Sequence, residues 1–190
     1  MRHVTTFTLD DCPPHADLMA LWEAIAADDT VPGNFMDTFP STLTEFLDPI
    51  QDGSMHLWLI RVDGVPVGAH WYHDRGLWGN ADSVWTAGYR LPSARGKLGH
   101  APQVEANLIA TEQLGVKHFF AACRVNNVRS QRFVEKCGYH PAGIYPKWGW
   151  FDGDLDDVVL YTLMPEDQEL LMYQARQRAV YQQGHALLLA

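Results

Sequence analysis

Cysteine, positive charge and long apolar runs are all in short supply in this sequence, and each shortage excludes a class of protein. The three cysteines, Cys12, Cys123 and Cys137, are an odd set with no CxxC spacing. They spell neither a disulfide framework nor a zinc site, and a reducing compartment, the cytoplasm, is the expectation. Lys and Arg number 14 against 23 Asp and Glu, a formal net charge of −9. Neutralising nucleic-acid phosphates takes clustered Lys and Arg, so no nucleic-acid partner is expected. The acidic surface favours cationic ligands, although solubility is its plainer use. No apolar run approaches the roughly 20 residues of a membrane helix. The first residues, MRHVTTFTLDDCPPH, carry no continuous apolar segment and do not read as a signal peptide.

What is present is enough apolar material for a core. Hydrophobic residues make up 47% and aromatics 12% of the 190 residues. One domain over residues 1–190 is therefore expected, with 165–190 as a C-terminal helical extension. Residues 3–9 alternate as a short strand ended by Pro13-Pro14. Leu18, Met19, Leu21, Trp22, Ile25 and Ala26 recur at helical spacing, and a second helix over 41–50 follows the Val31-Pro32-Gly33-Asn34 breaker. Strands at 56–62 and 65–73 flank Asp63-Gly64, a hairpin turn signal. A turn at 76–80 leads to a strand at 83–91, ended by Pro92. A helix over 102–114, closed by Gly115, precedes a strand at 116–125 and a short helix over 130–136 closed by Gly138. Strands near 143–150 and 157–164 surround the Asp152-Gly153-Asp154 turn, and 165–183 is helical, followed by the apolar tail 185–190. The order is mixed α/β without internal repeats.

The segment Leu91-Pro92-Ser93-Ala94-Arg95-Gly96-Lys97-Leu98-Gly99-His100-Ala101-Pro102 lies between a strand and a helix. A helix N-terminus offers unpaired N–H groups and partial positive charge, and nearby glycines let the backbone approach a pyrophosphate. Arg95 and Lys97 add charge. On spacing alone, an ordinary capped surface loop fits equally well. The order of elements around this loop resembles that of the GNAT superfamily of N-acyltransferases. That family's cofactor loop runs Arg or Gln, two residues, Gly, one residue, Gly or Ala, and Arg95 matches its first position. The stretch from Asn127 through Ser130-Gln131-Arg132-Phe133-Val134-Glu135-Lys136-Cys137-Gly138-Tyr139 resembles the family's second signature. With Ser at its fourth place, it is most similar to the branch that acetylates ribosomal-protein amino termini.

The resemblance implies a central, mostly antiparallel twisted sheet of about seven strands, splayed at the cofactor site and flanked by helices. It implies acetyl-CoA or another acyl-CoA as co-substrate, no metal, and an amine acceptor, peptide or small molecule. Cofactor contacts fall on Gly88, Tyr89, Arg90, Arg95, Gly96, Lys97, Leu98, Gly99, His100, Ala101, Asn127 and Ser130, with Gly88 marking a bulge. Leu98 and His100 depart from the family's Gly and Gly or Ala. Their side chains are then expected to point away from the phosphates, with Gly96 and Gly99 carrying the turns, or His100 itself donates to a phosphate. Val134 stands where many members carry a Tyr acid, and Ser130 is the substitute the resemblance implies. Ala122 stands where some relatives keep a Glu base. Tyr89, a catalytic candidate with Ser130, competes as base with His70, His73 and Cys123. His70 and His73, three apart on a strand, face opposite sides and make no metal pair. Trp71, Trp78, Trp85, Trp148 and Trp150 are candidates for an acceptor pocket or plain sheet residues. Another acyl or aminoacyl donor, or a non-catalytic binding module, stays open, as does a homodimer against a monomer.

Overall fold

The computed structural model describes residues 7–35, 39–73, 82–164 and 166–167. The predicted turn at 76–80, the helix and tail after 165, Trp78 and the first six residues lie outside them, so of the predicted strand at 3–9 only the end is described.

Strands β1 (Thr8–Asp10), β2 (His56–Val62), β3 (Val65–His73), β4 (Ser83–Arg90), β5 (His118–Arg124), β6 (His140–Phe151) and β7 (Asp154–Leu163) form one sheet in the order β1-β2-β3-β4-β5-β7-β6. Two tight hairpins build its outer parts. Asp63 and Gly64 have φ of 51° and 78°, Asp152 and Gly153 φ of 53° and 76°. Paired positive φ values give the turn whose twist matches the flanking strands, which is why Asp-Gly was legible at both places. Every neighbouring pair is antiparallel except β4 and β5.

Helices cover both faces. Helices α1 (His15–Ala26) and α2 (Leu43–Gln51) precede the first hairpin, while α3 (Ala101–Leu114) and α4 (Val128–Lys136) flank β5. Thr42 caps α2 by accepting from the Glu45 N–H at 3.2 Å, and Gly115, at φ 67°, closes α3 in the left-handed region. Strand alternation then sends side chains to two cores. Trp58, Tyr72, Val84 and Phe119 pack with Ala106 and Ala110 of α3. Leu57, Leu59, Trp71 and Tyr89 pack with Leu21 and Ile25 of α1 and Phe46 of α2. His70, on the α3 face, is buried, while His73 follows Trp71 onto the other, as strand geometry requires.

The predicted bulge at Gly88 is corrected: His70 pairs Gly88 within an unbroken β3–β4 register. The irregularity falls instead between Ile60 and Arg61 on β2, opposite the turn-proximal part of β3. Gly88 is required for another reason. A Cβ there would lie 2.3 Å from His70 Nδ1, so the imidazole fills the space a side chain would take.

Candidate functional site

The parallel contact between β4 and β5 is short. Only Ser83, Val84 and Trp85 pair with His118, Phe119 and Phe120. Beyond Trp85 the two strands part, so the β4 backbone from Thr86 to Arg90 has no strand partner on that side among the described residues. The opening is a cleft of about 1870 Å³, larger than most small-molecule pockets. Its walls include Gly88 and Arg90 of β4, Ala122 of β5, Leu98 and Gly99 of the loop, and Ser130 of α4.

At one end of the cleft, a single turn, Pro92–Ala94, leads into the loop before α3. Gly96 and Gly99 have φ of 77° and 62°, and a Cβ on either would meet nothing within 4 Å. Backbone conformation, rather than crowding, therefore selects glycine here. The tight turns sit at these two glycines and not at Leu98 or His100. His100 is the N-cap of α3 and caps it without a side-chain bond, with Ala101 and Pro102 opening the helix. Lys97 is exposed, while Leu98 and His100 are half-buried.

Arg95 turns elsewhere. Its guanidinium pairs with the buried Asp28 carboxylate, its Nε donates to the Arg90 carbonyl at 3.2 Å, and its Cζ lies 5.6 Å from the Tyr89 ring centroid. Tyr89 donates its hydroxyl to Asp28 at 2.8 Å. Burial alone would raise the Asp28 pKa, but hydrogen bonds from Thr30, Tyr89 and Arg95 outweigh it and hold it at about 2. Burial, then Asp28, pushes the Tyr89 hydroxyl up to about 12. Tyr89 and Arg95 are thus brought together around Asp28, which the sequence reading missed, while Arg90 joins them only through its carbonyl. The Asp28-Asp29-Thr30 run was its only signal: Thr30 donates its N–H and hydroxyl to Asp28 at 3.0 and 2.7 Å in an Asx-type turn.

Arg90 is deeply set. Its Nη2 lies 2.6 Å from His70 Nε2, its Nη1 donates to the Tyr89 carbonyl at 3.3 Å, and its Nε has no hydrogen-bond partner among the described residues. Burial lowers its pKa to about 10, leaving it charged at neutral pH. Burial, with Arg90 beside it, holds His70 well below the ordinary histidine range. A charged guanidinium can only donate, so His70 Nε2 accepts and Nδ1 carries the proton. The lone pair a base needs is occupied, which removes His70 from the candidate bases. Cys123 is removed too: burial, then Glu135, pushes its thiol up to about 12. Beneath α3, Gln103 donates to Asn107 at 2.9 Å and Thr86 at 3.2 Å, and Tyr72 donates to Asn107 at 2.7 Å. This buried network fixes the α3 N-terminus over β4.

Across the cleft, Asn127 caps α4, accepting from the Ser130 N–H at 3.1 Å, and donates to Asn34 at 2.6 Å. Ser130 is half-buried on the cleft wall. Arg124 donates to the Gly33 carbonyl at 2.8 Å and to Asp156 at 2.9 and 2.6 Å. The α1–α2 connection is thereby tied to β5. Of the predicted aromatic residues, Trp71, Trp85 and Trp148 line the cleft, whereas Trp150 is exposed on β6.

A family model described as the acetyltransferase (GNAT) domain matches residues 5–140. The chain belongs to that family of N-acetyltransferases. No curated protein matches the sequence. Among solved structures the fold is similar to Mycobacterium smegmatis RimJ in complex with CoA-disulfide, at TM-score 0.74 and 17% identity over 91% of each chain. It is also similar to spermidine N-acetyltransferase from Vibrio cholerae in complex with CoA and spermine. That match has TM-score 0.73 and 14% identity over 85% of this chain and 97% of the other. No helix among the described residues is long and apolar enough to cross a membrane.

Proposed function

We propose that this protein transfers an acyl group, acetyl in the first instance, from acyl-CoA to a primary amine in the cytoplasm. The observation that carries the reading is the parting of β4 from β5 after Trp85 and Phe120, with the N-terminus of α3 nearby. The unpartnered β4 edge at Gly88, Tyr89 and Arg90 offers backbone groups to an extended pantetheine arm. The loop Gly96 to Ala101, with Lys97 exposed, offers N–H groups and charge to the diphosphate. The Arg95 guanidinium, engaged by Asp28, holds this loop in shape.

Reaction needs the amine neutral and the thioester oxygen stabilised. A backbone N–H of the open β4 edge serves the oxygen, a contribution of roughly 3 kcal/mol for one well-placed donor. Ser130 is the proton donor to the departing sulfur, supported by its place on the cleft wall at the first turn of α4. Tyr89, whose proton is committed to Asp28, positions the loop instead of carrying a proton. Acetyl-CoA mixed with a panel of primary amines, with free thiol followed by absorbance, tests the reading. Amine-dependent thiol release is expected, and release independent of any amine would count against it.

A further inference from the structure

The acceptor side of the cleft has a chemistry of its own. Resting on the acyltransferase reading above, we infer that the acceptor is a small primary amine carried on an aromatic body. Phe35, Phe39 and Trp71 form one cluster, with centroid separations of 4.7 Å for the two phenylalanines and 6.0 Å from each to Trp71. Trp85 stacks with Trp148 at 6.0 Å. On the β3–β4 ladder Trp71 pairs with Ala87 and His73 with Trp85, so Trp71 and Trp85 share one face as diagonal neighbours. The two clusters join into one aromatic wall that ends where β4 and β5 part. All five rings line the cleft, and Ala87 and Ala122 leave the space between the strands open.

Charge points the same way. Glu45 is the single carboxylate among the described lining residues, and it already accepts from the Ser41 N–H and hydroxyl, each at 2.8 Å. Among the described lining residues, the several ammonium groups of a polyamine would find one carboxylate, already engaged by Ser41. A single ammonium gains less over an aromatic face than it loses on being desolvated. The wall therefore favours the neutral amine, the form that attacks. This accounts for a site with Ala122 where a carboxylate base would otherwise stand. The N–C bond forms as the C–S bond of the thioester breaks. The sulfur leaves with the bonding pair, and the proton lost by the amine balances the thiol formed.

The test compares 2-phenylethylamine, ethylamine, spermidine and an Ala-Ser dipeptide as acceptors with acetyl-CoA, using native protein and the Phe39→Ala and Trp148→Ala variants. For the native protein, kcat/KM for 2-phenylethylamine is expected to exceed that for each other acceptor by at least about tenfold. In the variants its KM should rise about tenfold at little changed kcat, as loss of an aromatic contact predicts, while the KM for ethylamine, which carries no ring, should rise by less than about threefold. A purely structural role would depress both amines together and overturn the assignment. Spermidine or the dipeptide ranking first would also overturn it, while leaving the acyltransferase reading intact. Calorimetry of acetyl-CoA on the same native protein separates the two failures. Absence of donor binding would defeat the proposed function itself, whereas donor binding with equal turnover of all four acceptors defeats only the aromatic assignment.

Discussion

Replacing Gly88 by alanine probes the junction of cleft and core. The new Cβ would sit 2.3 Å from His70 Nδ1, 2.8 Å from Cε1 and 3.3 Å from the Ala69 carbonyl oxygen. His70 is 1% exposed and its ring is engaged by Arg90, so displacing it is a forced fit that costs about 1–3 kcal/mol. Gly88 does not have positive φ, so alanine meets no backbone penalty and gains about 0.4–1 kcal/mol by restricting the unfolded chain. The clash outweighs that gain. The net cost is then at most about 2.6 kcal/mol, and at about 2–4 °C per kcal/mol for a chain of this size Tm should fall by up to about 10 °C. The control is the same substitution in a His70→Ala background, where both close ring atoms are gone and only the Ala69 contact remains. There Gly88→Ala should cost less than about 1 kcal/mol, giving a coupling of about 1 kcal/mol or more between the sites. Urea unfolding followed by tryptophan fluorescence and circular dichroism on the four proteins measures it. Equal penalties in both backgrounds would refute the argument that the imidazole is what demands glycine.

Arg95→Ala should lower stability, because it strips the buried Asp28 of its cation, whereas Lys97→Ala should leave thermal unfolding within about 0.5 kcal/mol of the native protein. The order reversed in differential scanning calorimetry would contradict the placement of Arg95. The Asp28 carboxyl, at about 2 against an ordinary 3.8, stabilises the fold by about 2 kcal/mol above pH 3.8, a contribution lost as pH falls toward 2. Asp28→Asn should therefore be destabilising at pH 7, with a gap from the native protein that narrows below pH 4 in denaturant titrations. Burial first, in both cases, pushes the thiols of Cys123 and Cys137 up to about 12, while Cys12 is exposed. A thiol-titrating aromatic disulfide should find one fast-reacting cysteine in the native protein and all three after denaturation. Rapid reaction of Cys123 would return it to the candidate bases.

Local chemistry explains what was legible beforehand. The Asp-Gly turns and the Gly115 cap are set by φ values that few other residues adopt, so two or three neighbouring residues suffice to read them. The order of strands and helices followed from periodicity. Boundaries moved where caps decided them: α4 begins at Val128 because Asn127 caps it, not at the predicted 130. Gly88 was read as a bulge because a glycine in a strand has several local explanations, and the operative one is a ring on the neighbouring strand. Arg95 looked like a free phosphate ligand because its partner, Asp28, lies 67 residues earlier. The pairing of Arg90 with His70 spans 20 residues and was equally invisible to motif spacing. Tertiary placement, rather than residue type, decided which charges stayed available to a ligand.

The most direct test of the account is calorimetric titration of acetyl-CoA into the native protein and into the Lys97→Ala variant at two salt concentrations. The account predicts micromolar-class binding, weakened by Lys97→Ala and less salt-sensitive in that variant, because one exposed cation has been taken from the diphosphate site. No binding of acetyl-CoA, or of any other acyl-CoA, to a folded protein would contradict the assignment of the β4–β5 cleft as a donor site.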